Sequence, residues 1–120
     1  MHLRHTHLVI LLALVAAILG CSESSAVGHH CTTSSEPRLV EFAPPGDVSY
    51  ERSRGLNGTV TIEVLVDERA NLAEARISKS SSVPSLDRAA MYAVRYSTFA
   101  PGACDGKPVA GKVTVEMALP

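Results

Sequence analysis

The hydrophobic pattern changes several times along the chain, and each change predicts a different element. Leu8 to Leu19 is an uninterrupted apolar run. Residues 21–45 are rich in Ser, Thr, Pro and Gly, show no hydrophobic period and read as a flexible linker. Their one apolar patch, Leu39-Val40-Glu41-Phe42, is suited to lying on the domain that follows. Asp47 to Arg54 fits one or two turns of helix with Asp47 as cap, broken by Gly55-Leu56-Asn57-Gly58. Val60, Ile62, Val64 and Val66 then alternate with Thr59, Thr61, Glu63 and Asp67, the period of a half-buried strand. A turn at Glu68 to Asn71 leads into a return strand with Ala73, Ala75 and Ile77 on one face, so the two strands form a hairpin.

Leu86, Ala89, Ala90, Ala93 and Val94 follow the spacing of an amphipathic helix. Ser82 or Ser85 is placed to cap it, and Pro84 suits its first turn. The small alanines let such a helix lie close against a sheet, while Arg88, Tyr92 and Arg95 fall on a solvated outer face. Phe99 and Pro101 end the segment. Val113, Val115, Met117 and Leu119 finally alternate with Lys112, Thr114, Glu116 and Ala118, the cleanest strand of the chain. The predicted fold over residues 46–120 is α+β: a small three-stranded antiparallel sheet with one main helix, and a short N-terminal helix, packed on one face.

The apolar run at residues 8–19 is short for a membrane span. As a helix it reaches about 18 Å, against a bilayer core about 30 Å thick. Arg4 with His2, His5 and His7 ahead of it, and the small Gly20 behind it, fit a secretory signal. Ile18-Leu19-Gly20-Cys21 resembles the bacterial lipoprotein box, with Leu19 a less usual residue at its tolerant position. That resemblance implies removal of residues 1–20 and acylation of Cys21, and several acyl chains hold a protein where one does not. An ordinary cleaved signal peptide and a short anchor over residues 8–20 are the alternatives. Ser22 after the cysteine, rather than Asp, leans towards the outer membrane by analogy with enteric lipoproteins.

Loss of residues 1–20 removes only Arg4 from the formal charges, leaving 10 basic and 12 acidic residues. A chain with net charge −2 and no cluster of Lys or Arg is a poor partner for nucleic acid, and no run of basic residues offers a patch for anionic lipid. With Cys21 acylated, Cys31 and Cys104 remain as a pair in an oxidising compartment and are expected to be bonded. Such a bridge, closing a loop of more than seventy residues, contributes roughly 4 kcal/mol in the chain-entropy model. The His29-His30-Cys31 cluster lacks partners at metal-ligand spacing and reads as incidental.

Gly58-x-Val60, Val66-Asp67, Lys79-Ser80-Ser81, Leu86-Asp87-x-Ala89-Ala90, Phe99-x-Pro101 and Asp105-Gly106-Lys107-Pro108-Val109 together resemble the TonB C-terminal domain family, over about residues 55–120. The resemblance implies the same three-stranded sheet with helices on one side. It also implies that the final strand, regular and followed by no further element, is a sheet edge where an extended receptor segment pairs by β-augmentation. Lys112, Thr114, Glu116 and Ala118 are the residues expected to meet that segment. Two positions depart from the family: Ala70 and Ser82 stand where it usually has Gly. Asn71 is expected to supply the left-handed conformation at the first. The run at residues 8–19 also lacks the Ser and His with which TonB transducers engage their membrane motor.

These features predict a protein-binding module on the periplasmic side of a membrane, outer membrane favoured. Its partner is an envelope protein or an outer-membrane receptor segment, and a homodimer is possible. A short transducer anchored by residues 8–20, acting in transport across the outer membrane, is the alternative; an accessory structural lipoprotein of the envelope is another. No catalysis and no cofactor are expected. All five His lie at or before residue 30, and no GxSxG, HExxH, SxxK or P-loop motif occurs. Asp67, Glu74, Asp87 and Asp105 are scattered carboxylates.

Overall fold

Four β-branched side chains, Val60, Ile62, Val64 and Val66, line one face of the central strand and are fully buried. In the computed structural model, which describes residues 30–120, that strand is the third of eight. In chain order the elements are β1 (Ser34–Ser35), β2 (Arg38–Glu41), α1 (Ser49–Ser53), β3 (Gly58–Val66), β4 (Leu72–Lys79), α2 (Pro84–Tyr96), β5 (Thr98–Ala100), β6 (Gly102–Cys104), β7 (Lys107–Val109) and β8 (Gly111–Leu119). The expected signal segment at residues 1–20 and the lipidation residue Cys21 lie outside the described residues.

The main sheet is antiparallel and three-stranded, in the order β4-β3-β8. β3 pairs with β8 in unbroken register, from Gly58 opposite Leu119 to Val66 opposite Gly111. The helix α2 covers one face of this sheet, touching β3, β4 and β8. Its predicted stripe of Leu86, Ala89, Ala90, Ala93 and Val94 comprises the buried residues of the helix. Phe99, Val115, Met117, Leu119 and Val48 complete the core.

Two further small sheets correct the expectation of a single sheet: β2 pairs with β5, and β6 pairs with both β1 and β7. Residues 34–35 and 38–41, read as linker, therefore form strands. Their partners are distant in sequence, so no local period announces them: Leu39 faces Phe99 and packs against the core, and Ser34 faces Cys104. The hairpin β6–β7 turns through Asp105 and Gly106, both at positive φ, the two-residue turn that Asp-Gly favours.

Local departures have local causes. In β4 a bulge places two residues, Ala73 and Leu72, where the register advances by one on β3. Leu72 rather than Ala73 thereby joins Ala75 and Ile77 against the core. The β3–β4 turn holds Ala70, not Asn71, in the left-handed region at φ 69°. Asp67 fixes that turn by accepting the backbone N–H groups of Arg69 and Asn71 at 2.9 and 2.8 Å. Neither Ser82 nor Ser85 caps α2; Val83 occupies the cap position and Pro84 opens the helix. Helix α1 is shorter than expected, with Val48 at its cap position. Asp47 still accepts the N–H of Ser49 at 2.9 Å. Gly55, at φ 69°, ends the helix, with the N–H of Leu56 returning to the carbonyl of Glu51.

Candidate functional site

In a strand the backbone N–H and C=O of one residue point to the same side, and successive residues alternate. On β3 the carbonyl of Thr61 accepts the hydroxyl of Ser78 on β4, and the N–H of Asp67 just beyond the strand donates to the carbonyl of Asn71. Odd-numbered residues of β3 therefore turn their backbone towards β4, and even-numbered ones towards β8. Their partners across the β8 ladder are Val113, Val115 and Met117, opposite Val64, Ile62 and Val60. It follows that Lys112, Thr114, Glu116 and Ala118 direct their N–H and C=O groups away from the sheet.

These four residues are exposed, while Val115, Met117 and Leu119 are buried. β8 thus presents a row of backbone donors and acceptors along its outer side, backed by a fixed core. One end is partly screened. Pro37 packs so closely on Gly111 that a side chain there would meet its Cγ at 2.8 Å. Beyond that end, Thr114, Glu116 and Ala118 are exposed.

The uncovered face of the sheet adds charge beside that edge. Arg76 on β4 pairs with Glu63 on β3, its Nε donating to Oε2 at 3.0 Å. The hydrogen bond and charge of Arg76 hold the Glu63 carboxyl below its usual range, and Lys112 adds to the effect. These residues with Leu65 and Glu74 surround a hollow of about 180 Å³. That is small beside the roughly 300–1,000 Å³ of ligand pockets. Among the described residues no three His, Cys, Asp or Glu side chains gather in a metal-binding group, and no helix is long and apolar enough to cross a membrane.

The remaining motif residues have structural work. Asp87 accepts the N–H and the hydroxyl of Ser81 at 2.9 and 2.6 Å, and the hydroxyl of Ser80. The Lys79-Ser80-Ser81 and Leu86-Asp87 motifs are therefore one knot that ties the end of β4 to α2. Gly58 lies against this knot, where an added side chain would meet Ser81 Cβ at 2.7 Å. Cys31 and Cys104 are joined by a disulfide, with Cα atoms 5.2 Å apart. Asp105 beside it accepts the N–H of Thr33 at 2.8 Å.

A family model for the Gram-negative bacterial TonB protein C-terminal matches residues 49–118. The chain belongs to this family. It is 34% identical over 91 residues to protein TonB of Vibrio cholerae, an alignment that covers 68% of this chain and 36% of that protein. The chain thus spans about a third of the length of that relative. The solution structure of the Pseudomonas aeruginosa TonB C-terminal domain matches with a TM-score of 0.57 at 21% identity, covering 72% of this chain and 87% of the other. At that identity the likeness concerns the fold, which is the mixed α+β arrangement described above. Ala70 and Ser82, expected from the resemblance to be Gly, both stand at φ 69°, a conformation that glycine adopts at less cost.

Proposed function

We propose that this chain is a non-enzymatic, lipid-anchored periplasmic module that binds an extended segment of an envelope or outer-membrane transport protein along β8. The observation that supports the reading is the outward row of backbone groups at Thr114, Glu116 and Ala118 on the sheet edge. Pairing there adds a fourth strand, main-chain hydrogen bonds give affinity, and the exposed side chains of Lys112, Thr114 and Glu116 read the partner's sequence.

The anchor fits a partner in the same membrane. The bond to Cys104 holds Cys31 to the domain, so only nine residues separate it from Cys21. The ten Cα-to-Cα steps from Cys21 to Cys31 reach at most about 36 Å. A receptor segment at the outer membrane is within that reach if Cys21 is held there, as Ser22 suggests. The alternative, a transducer held by residues 8–20 in the inner membrane, must bridge to the outer membrane with the same ten steps.

Synthetic peptides spanning the periplasm-facing N-terminal segments of outer-membrane receptors from the same genome provide the test. Thr114→Pro or Glu116→Pro removes an outward N–H and no ladder bond, so the domain stays folded while peptide binding is lost. Undiminished binding by either variant, shown folded by circular dichroism, would place the site elsewhere.

A further inference from the structure

The outer face of α2 is not the plain solvated surface its charges suggest in sequence. Tyr92 and Tyr96 are 50% and 67% exposed, with ring centroids 4.6 Å apart. Together with Arg88, Met91 and Arg95 they line one open groove that contains no acidic residue. Among the described residues neither arginine is in an ion pair. The adjoining hollow beyond Arg88 is lined in part by Asp47 and Glu51.

Tyrosine, with an apolar ring and a polar tip, is enriched where hydrocarbon meets water. Arginine beside it matches an anionic headgroup bidentately. The length of chain outside the described structure points the same way. Cys31 is held by Cys104, and Cys104 is only eight residues beyond Tyr96, at most about 29 Å away. The two reaches together keep this face within about 65 Å of whatever surface holds Cys21.

From these features we infer that Arg88, Tyr92, Arg95 and Tyr96, with Met91, form a face that docks on the anionic phospholipid headgroups of the anchoring membrane. The inference rests on the anchored reading of the N-terminus. Each arginine near such a surface strengthens association by roughly fivefold, too little for a free domain of net negative charge. Tethering changes the comparison, because a short linker raises the effective concentration of the face to the millimolar range. With α2 against lipid, the opposite face of the sheet turns away from the membrane and β8 stays open to a partner.

The chain reports on this face without a label: it has no Trp, and its three Tyr are Tyr50, Tyr92 and Tyr96. The full lipidated chain carrying Tyr50→Phe is incorporated into phosphatidylcholine vesicles with or without phosphatidylglycerol, and anchoring is checked by flotation. A nitroxide-headgroup lipid should quench the tyrosine emission in the anionic vesicles. Quenching should fall at least fivefold in the Arg88→Glu/Arg95→Glu double variant, and also at high salt, where the screening length shrinks to about 3 Å at 1 M. Equal quenching in neutral vesicles, or no loss in the double variant, overturns the assignment. Cross-links between the α2 faces of two copies that grow with surface density in neutral vesicles would give the face to a second copy and overturn it too. A chain that does not float overturns the anchored reading and the docking with it. A chain that floats with unquenched tyrosines overturns the docking alone.

Discussion

Ala70 and Ser82 hold a conformation at φ 69° that costs an L residue about 1–2 kcal/mol. The surroundings impose it: Asp67 grips the backbone on both sides of Ala70, and the N–H of Ser82 donates to the Ser80 hydroxyl at 3.0 Å. Ala70→Gly should therefore raise stability by about 0.5–1 kcal/mol in urea unfolding, because relief of the strain exceeds the freedom glycine adds to the unfolded chain. Gly58 behaves in the opposite sense. Its neighbour Ser81 leaves no room for a side chain, so Gly58→Ala should destabilise by roughly 1–3 kcal/mol. Asp87, held by Ser80 and Ser81, makes the stability respond to acid. Desolvation raises its carboxyl pKa, but the hydrogen bonds from the two serines outweigh that, and the net shift is downward. A folded value below the unfolded one gives stability that is present above about pH 4. It is lost as pH falls through the folded value. Asp87→Asn should remove that part of the acid sensitivity and, for a mostly solvated group, cost about 1 kcal/mol at neutral pH. Unfolding curves at pH 7 and pH 3 that shift equally for both proteins would contradict this.

Elements were legible in the sequence where one face is buried by a regular period. The stripe of α2 and the alternation in β3 and β8 are of this kind, and Val60 to Val66 and Val113 to Leu119 needed no partner to announce them. The short strands were not legible, because pairing rather than patterning makes them. Ser34 and Ser35 in β1 are exposed and polar, and only the opposing Ala103 and Cys104 turn them into a strand. The Asp105-Gly106 turn did carry a signal, since Asp-Gly is the preferred pair for a two-residue hairpin. Of the candidate site, the edge position of β8 and the exposed side chains of Lys112, Thr114, Glu116 and Ala118 were open to reading from the sequence; which backbone N–H and C=O groups point outward was not, because that depends on the hydrogen-bond phase of β3. The same short strands make the disulfide measurable. β1 has two residues, so Cys31–Cys104 and the Asp105 contacts carry most of its attachment. Cys104→Ser should lower stability by roughly 2–4 kcal/mol without unfolding the main sheet. Amides of Thr32 and Thr33 should then exchange quickly while those of β3 stay protected. Unchanged protection at Thr33 would show that the strand pairing suffices alone.

On the proposed reading, the molecule divides its tasks among three surfaces: the edge of β8 for a peptide, the outer face of α2 for lipid, and the β1–β6 corner for the tether. The tether joins the corner at Cys31, leaving nine residues back to Cys21. Every function proposed for the other two surfaces depends on what holds that cysteine. If it is acylated, Cys21→Ala should abolish metabolic fatty-acid labelling and leave an uncleaved or mislocalised precursor. Contacts among residues 30–120 do not involve position 21, so the domain of that precursor should unfold at the same urea concentration as the parent. It should still bind receptor-segment peptides in solution through β8. Loss of location without loss of fold or binding is the result that separates an anchor from a structural residue. Labelling that persists in Cys21→Ala would put the acyl group on another residue and overturn the assignment of the anchor to Cys21.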